Sequence, residues 1–180
     1  GLSEDIRLLK TDISNFPTVS ASERSANMPD FGPSVGGMNT QLNYNMLIKV
    51  HPTDADFVLI GSTNLFRSTD GFATAPADDS DTEKNKFWIG GYSIENDFSQ
   101  FPNHHPDQHS LVFDPNNPDR VISGHDGGLS KTSDIKANPI SWTDVNNGYN
   151  VTQFYTVDLK NTPGDDRIVG GTQDNGSPFF

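Results

Sequence analysis

The sequence contains no cysteine, which excludes disulfides, thiolate metal ligands and cysteine nucleophiles. Positive charge is scarce. Lys and Arg number 12 against 24 Asp and Glu, for a formal net charge of −12. Phosphate backbones are held by Lys/Arg clusters, and none occurs here, so nucleic acid and anionic membrane surfaces are poor partners. No apolar run approaches the roughly 18 residues of a membrane span. No charged-then-apolar leader follows Gly1, which is compatible with removal of a signal peptide. Long segments with helical periodicity are missing as well. There is no Walker loop, no dinucleotide fingerprint and no Ser-His-Asp spacing. Gly124-His125-Asp126-Gly127-Gly128 is glycine-rich, but no helical pattern follows it to complete a phosphate cradle.

Several features remain. The 180 residues suit one domain or two small ones. Hydrophobic residues make up only 32 %, with 16 Gly and 12 Pro, so the chain is polar and rich in turns. Aromatics at 10 % still argue for a packed core over disorder.

A repeated pattern organises the chain. Residues 49–61 lead into 65–70, residues 113–124 lead into 129–134, and residues 157–171 form a third copy. A partial fourth, residues 6–12, resembles the stretch that ends at Asp70. Each unit reads as strand, turn, strand, turn, strand. The first strands are residues 46–50, 111–113 and 154–157. Pro and Asx residues then mark a turn, and β-branched runs at 57–60, 121–122 and 168–169 form second strands. A Gly-rich turn leads to the third. Units of about 45–60 residues with three or four strands are what a β-propeller blade requires. Residues 77–83 read as a solvated acidic loop, residues 87–89 as an outer strand, and residues 92–105 as a long aromatic and polar insertion.

Ser68-Thr69-Asp70-Gly71 resembles the Asp-box of BNR-repeat propellers, found in sialidases, sortilin-like receptors and xyloglucanase-like hydrolases. Phe72 and Ala75 depart from the motif's Gly and Trp. Thr132-Ser133-Asp134 resembles a second copy whose Trp142 follows after an insertion. The resemblance implies that Ser68, Asp70, Thr132, Asp134 and Trp142 are structural, each Asp bonding local backbone amides. A closer resemblance spans residues 40–176. His105 to Pro115, Gly124 to Gly128, Val151 to Tyr155 and Gly171 to Gly176 follow the order seen in secreted BNR-repeat proteins of Bacteroidetes-type bacteria. It implies an all-β propeller of four-stranded antiparallel blades, with about three of seven blades present. It also implies an extracellular or cell-surface location and completion by further blades or neighbouring chains. The units are expected at 1–40 (the end of a preceding blade), 41–108, 109–152 and 153–180 (an incomplete blade).

In that fold, residues before each first strand and residues of the Gly-rich turn meet on one rim. These are Asn43, Asn45, Thr63 and Asn64, then His105, Asp107, His109, His125 and Asp126, then Gln153, Gln173, Asp174 and Asn175. If residues 105–109 are extended, His105, Asp107 and His109 share a face at about 6–7 Å spacing and could hold a zinc- or iron-like cation. Hydrogen-bonded loop ordering is the competing reading. Asp126-Gly and Asp174-Asn-Gly could offer oxygens to Ca²⁺, although such pairs also simply make tight turns. A glycoside hydrolase would draw its two carboxyls from Asp107, Asp126 and Asp174. A sialidase would need an arginine triad, and only Arg7, Arg24, Arg67, Arg120 and Arg167 exist. Trp88, Tyr92, Phe98, Phe101, Tyr149, Phe154 and Tyr155 could stack on sugars, with core packing the alternative. Asn150-Val151-Thr152 fits a glycosylation triplet. The expected function is binding of glycan or a surface protein through the rim. A polysaccharide hydrolase and a structural scaffold are the alternatives.

Overall fold

The computed structural model describes residues 6–149, 151–174 and 176–178. The protein is all-β, with four antiparallel sheets in two units, residues 1–145 and 146–180. The first unit opens with a hairpin of β1 (Leu9–Asp12) and β2 (Ser20–Glu23). A four-stranded meander follows: β3 (Leu47–His51), β4 (Asp54–Gly61), β5 (Leu65–Ser68) and, after helix α1 (Asp81–Phe87), β6 (Trp88–Gly90). A second meander comprises β7 (Gln108–Asp114), β8 (Asn117–His125), β9 (Gly128–Thr132) and β10 (Thr143–Asp144). The second unit is a hairpin of β11 (Phe154–Leu159) and β12 (Ile168–Thr172).

Burial explains the strand composition. The unbroken apolar run of β4 is covered on both faces, as such runs generally are. Phe57 and Leu59 point to one side. There they join Leu65 and Ile89 of their own sheet, Leu111 and Val121 of the second, and Ile135, Ile140 and Trp142 of the segment around it. Val58 and Ile60 point to the other side, where Phe66, Phe72 and Trp88 pack with Phe31. The register fits this division, since Ile60 pairs with both Ile48 and Phe66. In the second sheet Leu111 and Val121 are buried on the inner face, with Phe113 partly buried against the same core. Val112 and Ile122 remain 62 % and 47 % exposed on its outer face.

The acidic stretch differs from its reading as a loop. Its second half starts α1, because Ser80 caps the helix by accepting from the Glu83 amide. Ser80-Asp81-Thr82-Glu83 has capping-box spacing, and Asp81 and Glu83 suit the positive end of the helix. Glu83 is buried, accepts from the Ala77 amide and pairs with Lys86.

Arg67 ties the first unit together. Its buried guanidinium donates to the carbonyls of Lys86 (2.8 Å), Asn85 (3.1 Å), Ile135 (2.8 Å) and Ala137 (2.6 Å). Burial lowers its pKa to about 10. Four of its five N–H donors are thus committed to backbone carbonyls.

Candidate functional site

Four connections of the first unit meet at one end of its two meanders. The Thr63 amide donates to Asn39, the Asp107 amide to Thr63 (2.9 Å), the Gln108 amide to Ser62 (2.8 Å), and the Asp126 amide to Asp107 (3.1 Å). The segment before β3, the β4–β5 turn, the segment before β7 and the β8–β9 turn are thereby knit by backbone. Buried Gln108 adds a side-chain bond to the His105 carbonyl at 2.8 Å.

Asp107 lies at the centre. Asn45 Nδ2 and Gln41 Nε2 donate to its Oδ1 at 2.6 and 2.9 Å. Partial burial, followed by the charge of Asp126, raises its pKa, while the Asn45 hydrogen bond pulls in the opposite direction. Asp126 is paired with His109, Nε2 to Oδ1 at 2.5 Å, and the Tyr44 ring stands edge-on to His109 at 5.4 Å. The backbone is strained here. Gln41, Leu42, Asn43 and Asp107 all have positive φ, at 49°, 59°, 71° and 66°. Each such residue costs on the order of 1–2 kcal/mol, and such strain gathers at functional sites.

Behind Asp107 stands a file of imidazoles. His105 stacks on His125 at 6.1 Å, and His125 lies 4.7 Å from His104, which packs on Trp142 at 4.5 Å. Their partners assign the tautomers. The Pro106 carbonyl can only accept, so His105 Nδ1 carries a proton. Ser130 gives its own proton to the Asn103 carbonyl, so its Oγ accepts from His125 Nε2. His104 Nδ1 accepts from the Gly91 amide. Among the described residues, His125 Nδ1 and His104 Nε2 are buried without a hydrogen-bond partner. Burial lowers the pKa of His125 to about 4 and that of His104 well below the usual histidine range. Gly90 is required by this packing, since a Cβ there would lie 2.5 Å from the His104 ring.

His105, Asp107 and His109 do not line one face. The positive φ of Asp107 breaks the extended path before β7 begins at Gln108. His105 turns to His125, Asp107 to Asn45, and His109 to Asp126. Among the described residues, no group of three or more His, Asp or Glu side chains is arranged to hold a metal ion. Asp174 has positive φ and accepts from its neighbour Gln173 at 3.1 Å. In the second unit the Gln173 amide donates to the Gln153 carbonyl at 2.9 Å. Asn175 and the Asn150 triplet lie outside the described residues.

A cavity of about 380 Å³ opens beside this cluster, lined by Asp30, Asn39, Gln41, Thr63, Tyr92 and Phe98 among others. Tyr92 and Phe98 meet at 5.8 Å and 86°, and Phe98 is 75 % exposed. Burial, then the charge of Asp107, raises the Tyr92 pKa. Trp88 and Phe101, by contrast, are core, while Tyr149, Phe154 and Tyr155 are exposed. A larger cavity of about 650 Å³, lined by Val112, Ile122 and Lys131 among others, touches none of the residues of this cluster. Thr63 and Asp107 were among the residues the sequence singled out. Gln41, Tyr44 and His104 were not, because their placement depends on left-handed backbone and on burial, which leave no local motif.

Trp142 is buried and donates its indole proton to the Ile89 carbonyl. Asp70 Oδ1 and Oδ2 accept from the Ala73 and Thr74 amides at 3.0 and 3.1 Å, and Ser68 Oγ accepts from the Phe72 amide at 2.7 Å. At Thr132-Ser133-Asp134, the carboxylate of Asp134 accepts from the Lys136 amide. No protein-family model matches this chain, and neither a curated protein nor a solved structure matches it.

Proposed function

We propose that this chain is part of a secreted or cell-surface β-propeller of the Asp-box kind, and that its polar rim binds glycan. Two observations support the architecture: two four-stranded meanders sharing a core, and Ser/Asp turns whose side chains bond local amides. The binding reading is carried by the cavity beside Asp107. An exposed aromatic face stands there next to carboxamide and carboxylate groups. Pyranose rings offer an apolar face to an aromatic ring and hydroxyls to such groups. Titration calorimetry with a panel of oligosaccharides tests this. Binding by the native protein and at least about tenfold weaker binding by Phe98→Ala are expected. Failure of every oligosaccharide to bind overturns it.

A second reading is a glycoside hydrolase. Asp107 is held toward the protonated form by burial and by Asp126, while Asp126 itself is paired with His109. Two carboxyls whose environments differ in this way suit an acid and a base. Reducing-end release that is lost in both Asp107→Asn and Asp126→Asn would establish it. Binding without release would leave the binding reading alone.

A further inference from the structure

Charge at the cavity narrows the ligand. Among the described residues no lysine or arginine lines it, and Asp30 stands in its wall. Asp107 lies immediately behind, reached through Gln41, and Asp126 follows. Nothing on these walls would neutralise a uronic or sialic carboxylate, whereas Asp30 would oppose it. A positively charged group meets the reverse situation. Two aromatic rings at right angles, beside a carboxylate, form a surface suited to an ammonium ion. Aromatic rings attract a cation placed over their faces, and the carboxylate supplies the counter-charge.

We propose that the Tyr92–Phe98 cavity selects sugars bearing a free amino group over their acetylated and acidic counterparts, with Asp30 as the partner of the ammonium. The proposal rests on the glycan reading above and specifies its substrate class. The pyranose ring stacks on Phe98. Gln41 and Asn39 face its hydroxyls, and the ammonium sits between Asp30 and the ring faces.

The test is titration calorimetry of the full chain with three probes: glucosamine oligomers, N-acetylglucosamine oligomers and galacturonate oligomers. Moderate salt and mildly acidic pH keep the amines charged and screen non-specific attraction. Glucosamine oligomers are expected to bind at least about tenfold more tightly than acetylated ones, with no galacturonate binding. Asp30→Asn should bring that ratio close to one, and Phe98→Ala should weaken both ligands. Asp79→Asn, on the exposed acidic stretch, should change neither. Equal binding of amino and acetylated oligomers overturns the proposal and leaves the glycan reading standing. Loss in Asp79→Asn as large as in Asp30→Asn also overturns it, since the polycation would then be following bulk charge. Failure of all three probes overturns the proposal, and the glycan reading falls with it only when the wider oligosaccharide panel fails as well.

Discussion

His104 and His105 are sequence neighbours with different surroundings. His104 is 2 % exposed and wedged against Trp142, while His105 is half-buried over His125. The buried pair makes stability depend on pH. Above about pH 6.5, His104 and His125 are neutral both in the folded protein and in the unfolded chain, so their contribution is fully present. Between about 6.5 and 4 the unfolded chain takes up protons that the folded protein refuses, and stability is lost as pH falls. His125 accounts for about 2 kcal/mol of this by pH 4, allowing for residual solvent contact, and His104 acts in the same direction. Asp107 opposes it, because a raised folded-state pKa adds stability as pH falls through that value. Thermal melts across this window should fall toward acid, and His125→Gln should flatten the decline. An unchanged acid limb in that variant would place the sensitivity elsewhere.

At the scale of elements, Arg67 decides more than any single apolar contact. It projects from β5 and satisfies four carbonyls belonging to the end of α1 and to the segment after β9. Arg67→Met keeps the volume but leaves those carbonyls without donors. That should cost about 3 kcal/mol or more in chemical denaturation. Arg67→Lys should recover little, because one ammonium cannot reproduce a planar fork. Near-native stability of Arg67→Met would mean that water replaces the guanidinium. Helix α1 shows the opposite dependence. Its start is local, written in Ser80 and Glu83, and the acidic composition masked a legible cap.

At the scale of the whole molecule, charge dominates. Acidic residues outnumber basic ones 24 to 12, and the ion pairs among the described residues are mostly exposed ones, such as Lys10–Asp56 and Arg7–Glu23. Exposed pairs contribute about 0–1 kcal/mol each, too little to offset general self-repulsion. Raising salt from low to physiological levels should therefore raise the melting temperature. A fall would mean that the exposed pairs outweigh the repulsion. The two larger sheets also differ in cover: β4 is buried on both faces, whereas Val112 and Ile122 face outward.

Local sequence determined where strands form. Apolar runs bounded by Pro and Asx turns placed β3, β4, β7, β8, β11 and β12, because strand propensity and turn chemistry act over a few residues. The bonding of Asp70 to its own turn was implied by the resemblance of residues 68–71 to a known motif, and it too is local. Tertiary structure alone decided the site. Asn45 and Gln41 reach Asp107 across 62 and 66 residues of chain. The left-handed turn of Asp107 dispersed a triad that an extended strand would have aligned. Burial, with Trp142 packed against the ring, lowers the pKa of His104, which residue type alone does not. Long-range contact, backbone strain and desolvation are properties of the assembled chain, and no short window of sequence contains them.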